Sequence, residues 1–248
     1  MAHQSQPTCV ADETIAGDYR RALFVGHPIL GLLTARELDQ VLGFAVTERY
    51  AAGALIFRKG EPGRSLMLIV SGQVKISVSA PDGKEAVLAV LGVGEILGEM
   101  AILENKPRSA DATALTPCEV LLLQRRDFIP YLERNPSMAI RLLTMVCDRL
   151  RRTSTLLEDR ALRHLPERLA KTLIDLGSAN GSPCRPGTRI DIPIRQKVFA
   201  SLLGTSRETL SKQLHAWQSA GLISISRGAV VIKQPDVLAR FIDPGDGR

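Results

Sequence analysis

The sequence predicts an α+β protein: an N-terminal β-roll of jelly-roll type, one long helix, and a C-terminal domain of short helices closed by a β-hairpin. Residues 49–123 carry short apolar or alternating runs punctuated by glycines, as a roll of antiparallel strands does. Residues 135–164 run without a glycine or an interrupting proline. The rest returns to short helical periods and ends on two β-rich runs within 221–232. At 248 residues the chain is long enough for two modest domains with separate cores.

Residues 1–20 are polar and read as loosely ordered. They lack the basic segment and apolar core of a secretory leader, and the apolar run 66–70 is too short to cross a bilayer. A cytoplasmic protein with no membrane partner is therefore expected. A short helix is expected over 34–44, opened by Thr34 and Glu37 as a capping box. Strands are expected at 54–57, 66–70, 74–78, 86–90 and 120–123, with Pro81, Asp82 and Gly83 supplying a hairpin turn. The long helix starts at Asn135, with Pro136 suited to its first turn, and runs to about His164. Along it Leu143, Val146, Leu150, Thr153 and Leu157 recur at alternating steps of three and four, a heptad seam. Arg141, Arg149, Arg151 and Arg152 occupy other faces. A dimeric coiled coil is the expectation, with packing of the helix on its own domain as the alternative. Thr153 is a polar interruption that costs a seam stability and so needs a reason. The expected divisions are 1–134 for the roll, 135–164 for the dimerisation helix and hinge, and 165–248 for the last domain. Helices are expected there over 166–178, 195–203 and 206–219, with an extended loop or hairpin at 182–194 and a final hairpin turning at Arg227 and Gly228.

The net charge of +6 sits in the last third: residues 1–160 hold 19 basic and 19 acidic side chains, residues 161–248 hold 13 and 7. A basic C-terminal domain suits a polyanion. The cysteines, at positions 9, 118, 147 and 184, are spaced too widely for a zinc ribbon or a clustered iron–sulfur motif. The histidines form no local ligand pattern, so no metal is expected. The sequence shows no GxSxG, P-loop or HExxH motif, which argues against an enzyme.

Residues 195–219 have the pattern of a helix-turn-helix, and 221–232 that of a following wing. Val198 and Leu202 lie one helical turn apart, Gly204 supplies a turn with left-handed backbone angles, and Thr205 with Glu208 reads as the capping box of the next helix. Leu210, Leu214 and Trp217 would face the core, while Glu208, Ser211, Lys212 and His215 face away. The first turn of such a helix reaches base edges in the major groove. Arg207 can read guanine through two hydrogen bonds, and Glu208 can accept from cytosine N4. Lys212 can reach a guanine or a phosphate, Ser211 shares its face, and Lys197 and Ser206 suit phosphates. Glu208 could equally cap its helix or pair with Lys212, and Arg207 could be a solvated charge. The glycine turn, the wing and the local charge together favour double-stranded DNA.

The run ThrSerArgGluThrLeuSerLys (205–212), followed by Gly221, Leu222 and Ile223, resembles the recognition helix of the cyclic AMP receptor protein / fumarate-nitrate reductase regulator family of transcription factors. The resemblance implies that Arg207 and Glu208 read a G·C-containing half-site of a palindromic operator. It also implies a homodimer through residues 135–164 and raises RNA polymerase as a further partner. Lys212 stands where the family pattern has an arginine, which keeps the charge and loses the bidentate fork.

Residues 92–114 hold a second pattern. Gly98 permits close backbone approach, Glu99 to Leu103 can form a short helix whose N–H groups face an anion, Arg108 can bond a phosphate through two N–H groups, and Ser109 adds a hydroxyl. Glu99 would repel a phosphate and belongs on a sugar hydroxyl. This suits a ribose phosphate, although a surface turn with a Glu–Arg pair would read the same way. The Gly-Glu and Arg-Ser pairs at this spacing are similar to the phosphate-binding cassette of cyclic-nucleotide-binding domains, and 51–63 resembles the early strands of that roll. The resemblance implies a ribose contact from Glu99 and phosphate contacts from Arg108 and Ser109, with Gly98 and Met100 in the same site. On the long helix it implies that Thr153 and Ser154 contact adenine, the serine from the partner chain, which gives Thr153 its reason, and it adds Arg149 as a pocket-lining side chain. Cyclic AMP is the expected effector. The family also includes regulators responsive to cyclic di-GMP, haem or an iron–sulfur cluster, the last through an N-terminal cysteine cluster of which only Cys9 is present. His164 stands where the family pattern has an aspartate at a hinge tied to switching, which leaves the activation step open. The expectation is an effector-responsive DNA-binding transcription regulator. Its rivals are a ligand-independent DNA-binding protein with a degenerate roll and a regulatory subunit of an enzyme.

Overall fold

The computed structural model describes residues 35–80, 82, 85–178, 183–191, 196–226 and 229–242. The expected cap at Thr34, the hairpin residues Pro81 and Gly83, the wing turn at Arg227 and Gly228, and Cys9 lie outside them. The chain divides into two compact units that part between Leu150 and Arg151.

The first unit opens with α1 (Ala35–Gly43) and continues as β1 (Val46–Tyr50), β2 (Leu55–Phe57), β3 (Ser65–Ser71), β4 (Val74–Ser79), β5 (Glu85–Leu91), β6 (Ile96–Leu97), α2 (Glu99–Glu104), β7 (Asp111–Ala114), β8 (Cys118–Gln124) and α3 (Arg125–Arg134). The helix α4 (Pro136–Leu162) follows and crosses the boundary between the units. The strands form two antiparallel four-stranded sheets, ordered β1-β8-β3-β6 and β2-β7-β4-β5. The unbroken apolar run of β3 is explained by burial on both faces. Leu66, Leu68 and Val70 join Leu121, Leu123, Phe128, Met138 and Leu142 in a core with the helices. Met67 and Ile69 point the other way, into a core with Phe57, Val74, Leu91, Val120 and Leu122 from both sheets.

Beyond the expected strands, β1, β6 and β7 are present, and so is α3. This last helix is masked in the sequence by Pro130 in its interior, where proline normally breaks a helix. Here burial of Phe128, Tyr131 and Leu132 against the roll holds it together. Helix α4 has two unlike faces. Met138 and Leu142 are buried in the roll's core, while Leu143, Leu150 and Leu157 are 59%, 65% and 62% exposed on the single chain and Thr153 is exposed with them.

The second unit begins within α4 and contains α5 (Leu165–Gly177), β9 (Thr188–Asp191), α6 (Gln196–Leu202), α7 (Arg207–Ser219), β10 (Ile223–Ser226), β11 (Ala229–Ile232) and α8 (Pro235–Ile242). Part of the expected loop at 182–194 is strand β9, which pairs with β11 and makes the wing a three-stranded sheet, β10-β11-β9. The added α8 buries Leu238 and sets Phe241 against Trp217, ring centroids 5.4 Å apart. Leu210, Leu214 and Trp217 are core residues, as their spacing requires. In α6 the buried side is Phe199 and Ala200, with Leu203 just beyond, rather than the half-buried Val198 and Leu202.

Candidate effector and nucleic-acid sites

The first site forms where β6 turns into α2. Gly98 has φ +81, and a Cβ there would stand 2.1 Å from Arg108 Nη1 and 3.1 Å from Ser65 O, so only glycine fits beside the arginine. Arg108 is 6% exposed. Its Nη1 donates to Ser65 O at 2.7 Å and Gly98 O at 3.1 Å, and Nη2 donates to Ser65 Oγ at 3.1 Å. Its guanidinium lies 4.2 Å from the centre of the Phe57 ring, a cation–π arrangement. Burial pushes its pKa down, opposed by the nearby Glu99 and Glu61. Nε is buried with no hydrogen-bond partner among the described residues. A buried cation with an N–H to spare suits an anionic oxygen, so the chemistry of this cradle fits a phosphate.

Glu99 is 2% exposed and lies beside this cradle. Arg149 on α4 donates to its Oε1 at 2.5 Å through Nη1 and to Ile96 O at 2.6 Å through Nη2. The acidic partner proposed for a sugar is thus tied to the long helix. The Ser109 hydroxyl lies 3.9 Å from Met100 Sδ. Of the expected effector residues, Gly98, Glu99, Arg108 and Arg149 are brought into one cluster, with Met100 and Ser109 in contact with each other. Thr153 follows Arg149 by one helical turn and, with Ser154, is exposed on the single chain. Ser65 and Phe57, which hold Arg108, were not foreseen; they lie far from it in sequence and meet it through the strands.

The second site is on α6 and α7. Gly204 takes φ +68 in the turn between them. The helix cap is Ser206, one residue later than the capping box at Thr205 would put it. Its Oγ accepts from Thr209 N at 3.1 Å. The shift follows from Gly204 and Thr205 completing the turn, which leaves Ser206 as the last extended residue. Glu208 bonds its own backbone N–H and the Ser206 side chain, and both hold its carboxyl below the usual carboxylate range. An open groove is lined by Gln196, Arg207, Glu208, Ser211, Lys212 and His215. Four expected DNA-contacting residues therefore share one concave face. Lys197 is exposed outside that lining, and the Ser206 hydroxyl is engaged in the cap. Gln196 was missed; it accepts from Arg207 Nε at 3.4 Å. The sign available in the sequence was its position at the start of the preceding helix.

His164 is the extended residue before α5, and its side chain makes no cap hydrogen bond. Cys118 is buried and donates to Gln73 O and Thr116 O, while Cys147 is exposed. Among the described residues no helix is long and apolar enough to cross a membrane, and no cluster of His, Cys, Asp and Glu could hold a metal.

A roll with a buried arginine cradle and a winged helix-turn-helix in one chain define an effector-responsive DNA-binding transcription regulator. Residues 47–135 match the cyclic nucleotide-binding domain family, and residues 167–241 match the Crp-like helix-turn-helix domain family. The chain is 34% identical over 191 residues to a CRP-like cAMP-activated global transcriptional regulator of Mycobacterium tuberculosis, covering 77% of this chain and 85% of the relative. It is 33% identical over 213 residues to the cyclic AMP receptor protein of Thermus thermophilus, covering 86% and 95%. Among solved structures, the c-di-GMP responsive global regulator CLP of Xanthomonas campestris aligns with TM-score 0.70 and 25% identity over 81% of this chain and 99% of that one. The chain belongs to the cyclic AMP receptor protein / fumarate-nitrate reductase regulator family of transcription regulators.

Proposed function

We propose that this regulator works in the cytoplasm as a homodimer joined through residues 135–164, with cyclic AMP as its effector and a palindromic DNA duplex as its target. The observation that carries the effector reading is Arg108, buried beside Glu99 with Nε free of any partner among the described residues. Arg108 and Ser109 would hold the cyclic phosphate, Glu99 the ribose hydroxyl, and Thr153 with Ser154 the base, while Gly98, Met100 and Arg149 complete the site. The naming of the Mycobacterium and Thermus relatives for cAMP supports that choice. Cyclic di-GMP is the second reading, favoured by the likeness to the Xanthomonas regulator. The exposed seam Leu143, Leu150 and Leu157 supports the dimer, since a partner helix would cover it.

In this reading the phosphate draws on Arg108 while the ribose engages Glu99, the carboxylate that Arg149 already holds from α4. A ligand that contacts both changes which arrangement of α4 is favoured, because it binds one arrangement better than the other. The DNA-binding domain, 165–248, presents Arg207, Glu208, Ser211 and Lys212 to base edges, and Lys197 and Ser206 sit where the backbone phosphates pass. RNA polymerase is the partner through which the bound dimer would act on transcription.

Calorimetric titration of the dimer with cyclic AMP, cyclic GMP and cyclic di-GMP tests the effector. Saturable cyclic AMP binding that disappears in Arg108→Ala and weakens in Thr153→Ala is expected. Binding of cyclic di-GMP alone would transfer the assignment to the second reading. An Arg108→Ala protein that still binds would refute the site.

A further inference from the structure

The end of α4 is fastened to the DNA-binding unit by charged side chains as well as by the apolar core. Asp159 accepts from Lys171 on α5 at 2.6 Å and pairs with Arg163 at 3.0 Å. Arg163 donates in turn to Ile242 O, at the end of α8, at 2.7 Å. Between these two residues Arg160 turns its Nη2 onto Ser201 O at 3.4 Å and Leu202 O at 3.3 Å, at the end of α6. Its side chain also lies over the turn that follows. A Cβ on Gly204 would come within 3.3 Å of Arg160 Nε and 3.7 Å of Cδ. Arg168 on α5 adds Nε to Leu203 O at 3.1 Å and Nη1 to Arg163 O. Three successive carbonyls, of Ser201, Leu202 and Leu203, thus face guanidinium N–H groups at the negative end of α6.

We propose that Arg160 is a positioning residue: it locks α6 and the Gly204 turn, and with them the recognition helix α7, to the end of the dimerisation helix, and so sets the phase of the two recognition helices in the dimer. The proposal rests on the dimeric DNA-binding reading above. The connection at Arg163 and His164, where the family resemblance implies a hinge, is spanned by the Lys171–Asp159 and Arg163–Ile242 contacts, so a turn of α4 is passed on to α7 rather than absorbed there. A guanidinium suits this task because one planar group reaches two carbonyls while its stem covers the turn. Both bonds of Nη2 are long and shared, so Arg160 directs orientation and the apolar core around Leu169, Phe199, Leu210 and Trp217 carries the folding.

The test uses full-length protein saturated with cyclic AMP. A half-site is selected from a randomised duplex pool by the wild-type dimer and rebuilt as three palindromes, at the selected spacing and with one base pair inserted or deleted at the centre. One base pair turns one half-site by about 34° relative to the other. Affinities for wild type, Arg160→Ala and Arg160→Lys are read by fluorescence anisotropy, with thermal unfolding alongside. The expected result is a strong spacing preference in wild type that shrinks by about tenfold in Arg160→Ala, the equilibrium worth of one hydrogen bond to a charged group, with half-site base preference unchanged and Arg160→Lys in between. An Arg160→Ala protein that weakens equally at all three spacings, or keeps the wild-type ratio, overturns the proposal. Wild-type protein that selects no palindrome would instead overturn the dimeric reading itself, a failure visible before any variant is made.

Discussion

Removing Arg149 probes the effector cluster without removing any group assigned to the phosphate. The Glu99 side chain is 2% exposed and Arg149's is 31% exposed, so the two ends of this ion pair respond differently to loss of the other. Arg149→Ala takes the ion-pair partner from a buried carboxylate and leaves it only the nearby charge of Arg108, and a buried charge that loses its partner costs about 3–5 kcal/mol at most. Glu99→Gln leaves an arginine that keeps its bond to Ile96 O and can lean toward solvent, for which about 1–3 kcal/mol is the appropriate scale. The double variant should cost less than the two together, since neither partner is then stranded, with a coupling of about 1–3 kcal/mol. Hydrogen exchange at the amides of β6 and α2 in the ligand-free protein reads this locally, where it is not blurred by unfolding of the other unit. An Arg149→Ala cost of about 1 kcal/mol or less, equal to a surface pair, would refute the reasoning, as would strict additivity in the double variant.

Gly98→Ala puts a methyl carbon 2.1 Å from Arg108 Nη1 in a backbone with φ +81. The left-handed conformation alone costs about 1–2 kcal/mol, and Arg108 must move, so calorimetry should find nucleotide binding lost while unfolding of the second unit is unchanged. Ser206→Ala removes the Thr209 N cap and should lower the stability of the second unit by about 1 kcal/mol, read from Trp217 fluorescence in urea. Ionised Glu208 also supports this cap, through its own backbone N–H and then Ser206. Because its folded pKa is lowered, that support is present above the ordinary carboxylate pKa and lost as pH falls through the lowered value. Glu208→Gln should therefore flatten the acid limb of the Trp217 unfolding curve, and an unchanged limb would exclude the Glu208 contribution.

The legible parts of the fold were those with strong local patterns. The apolar run of β3 and the spacing of Leu210, Leu214 and Trp217 each state their burial in their own residues. Strands β1 and β7 do not. Val46–Tyr50 is partly exposed along its length, and Asp111–Ala114 has only small side chains to bury, Ala112 and Ala114, whose full burial comes from neighbouring strands. Residues of the effector cluster followed from a resemblance in spacing, yet what Arg108 does there depends on Ser65 and Phe57. Strand register, which no local pattern states, brings those residues to it.

In the proposed function helix α4 brings the two levels together, since a proposed pocket residue and a proposed seam residue are neighbours in its sequence. Arg149 turns inward to Glu99, and Leu150, next along the chain, is 65% exposed on the seam side. Successive helical residues are about 100° apart, so any rotation of α4 that carries Arg149 toward or away from Glu99 must also carry Leu150 relative to a partner helix. A nucleotide need not reach the seam directly to act on it. A differential of about 1.4 kcal/mol between two positions of Arg149 is a tenfold bias in the arrangement of the seam.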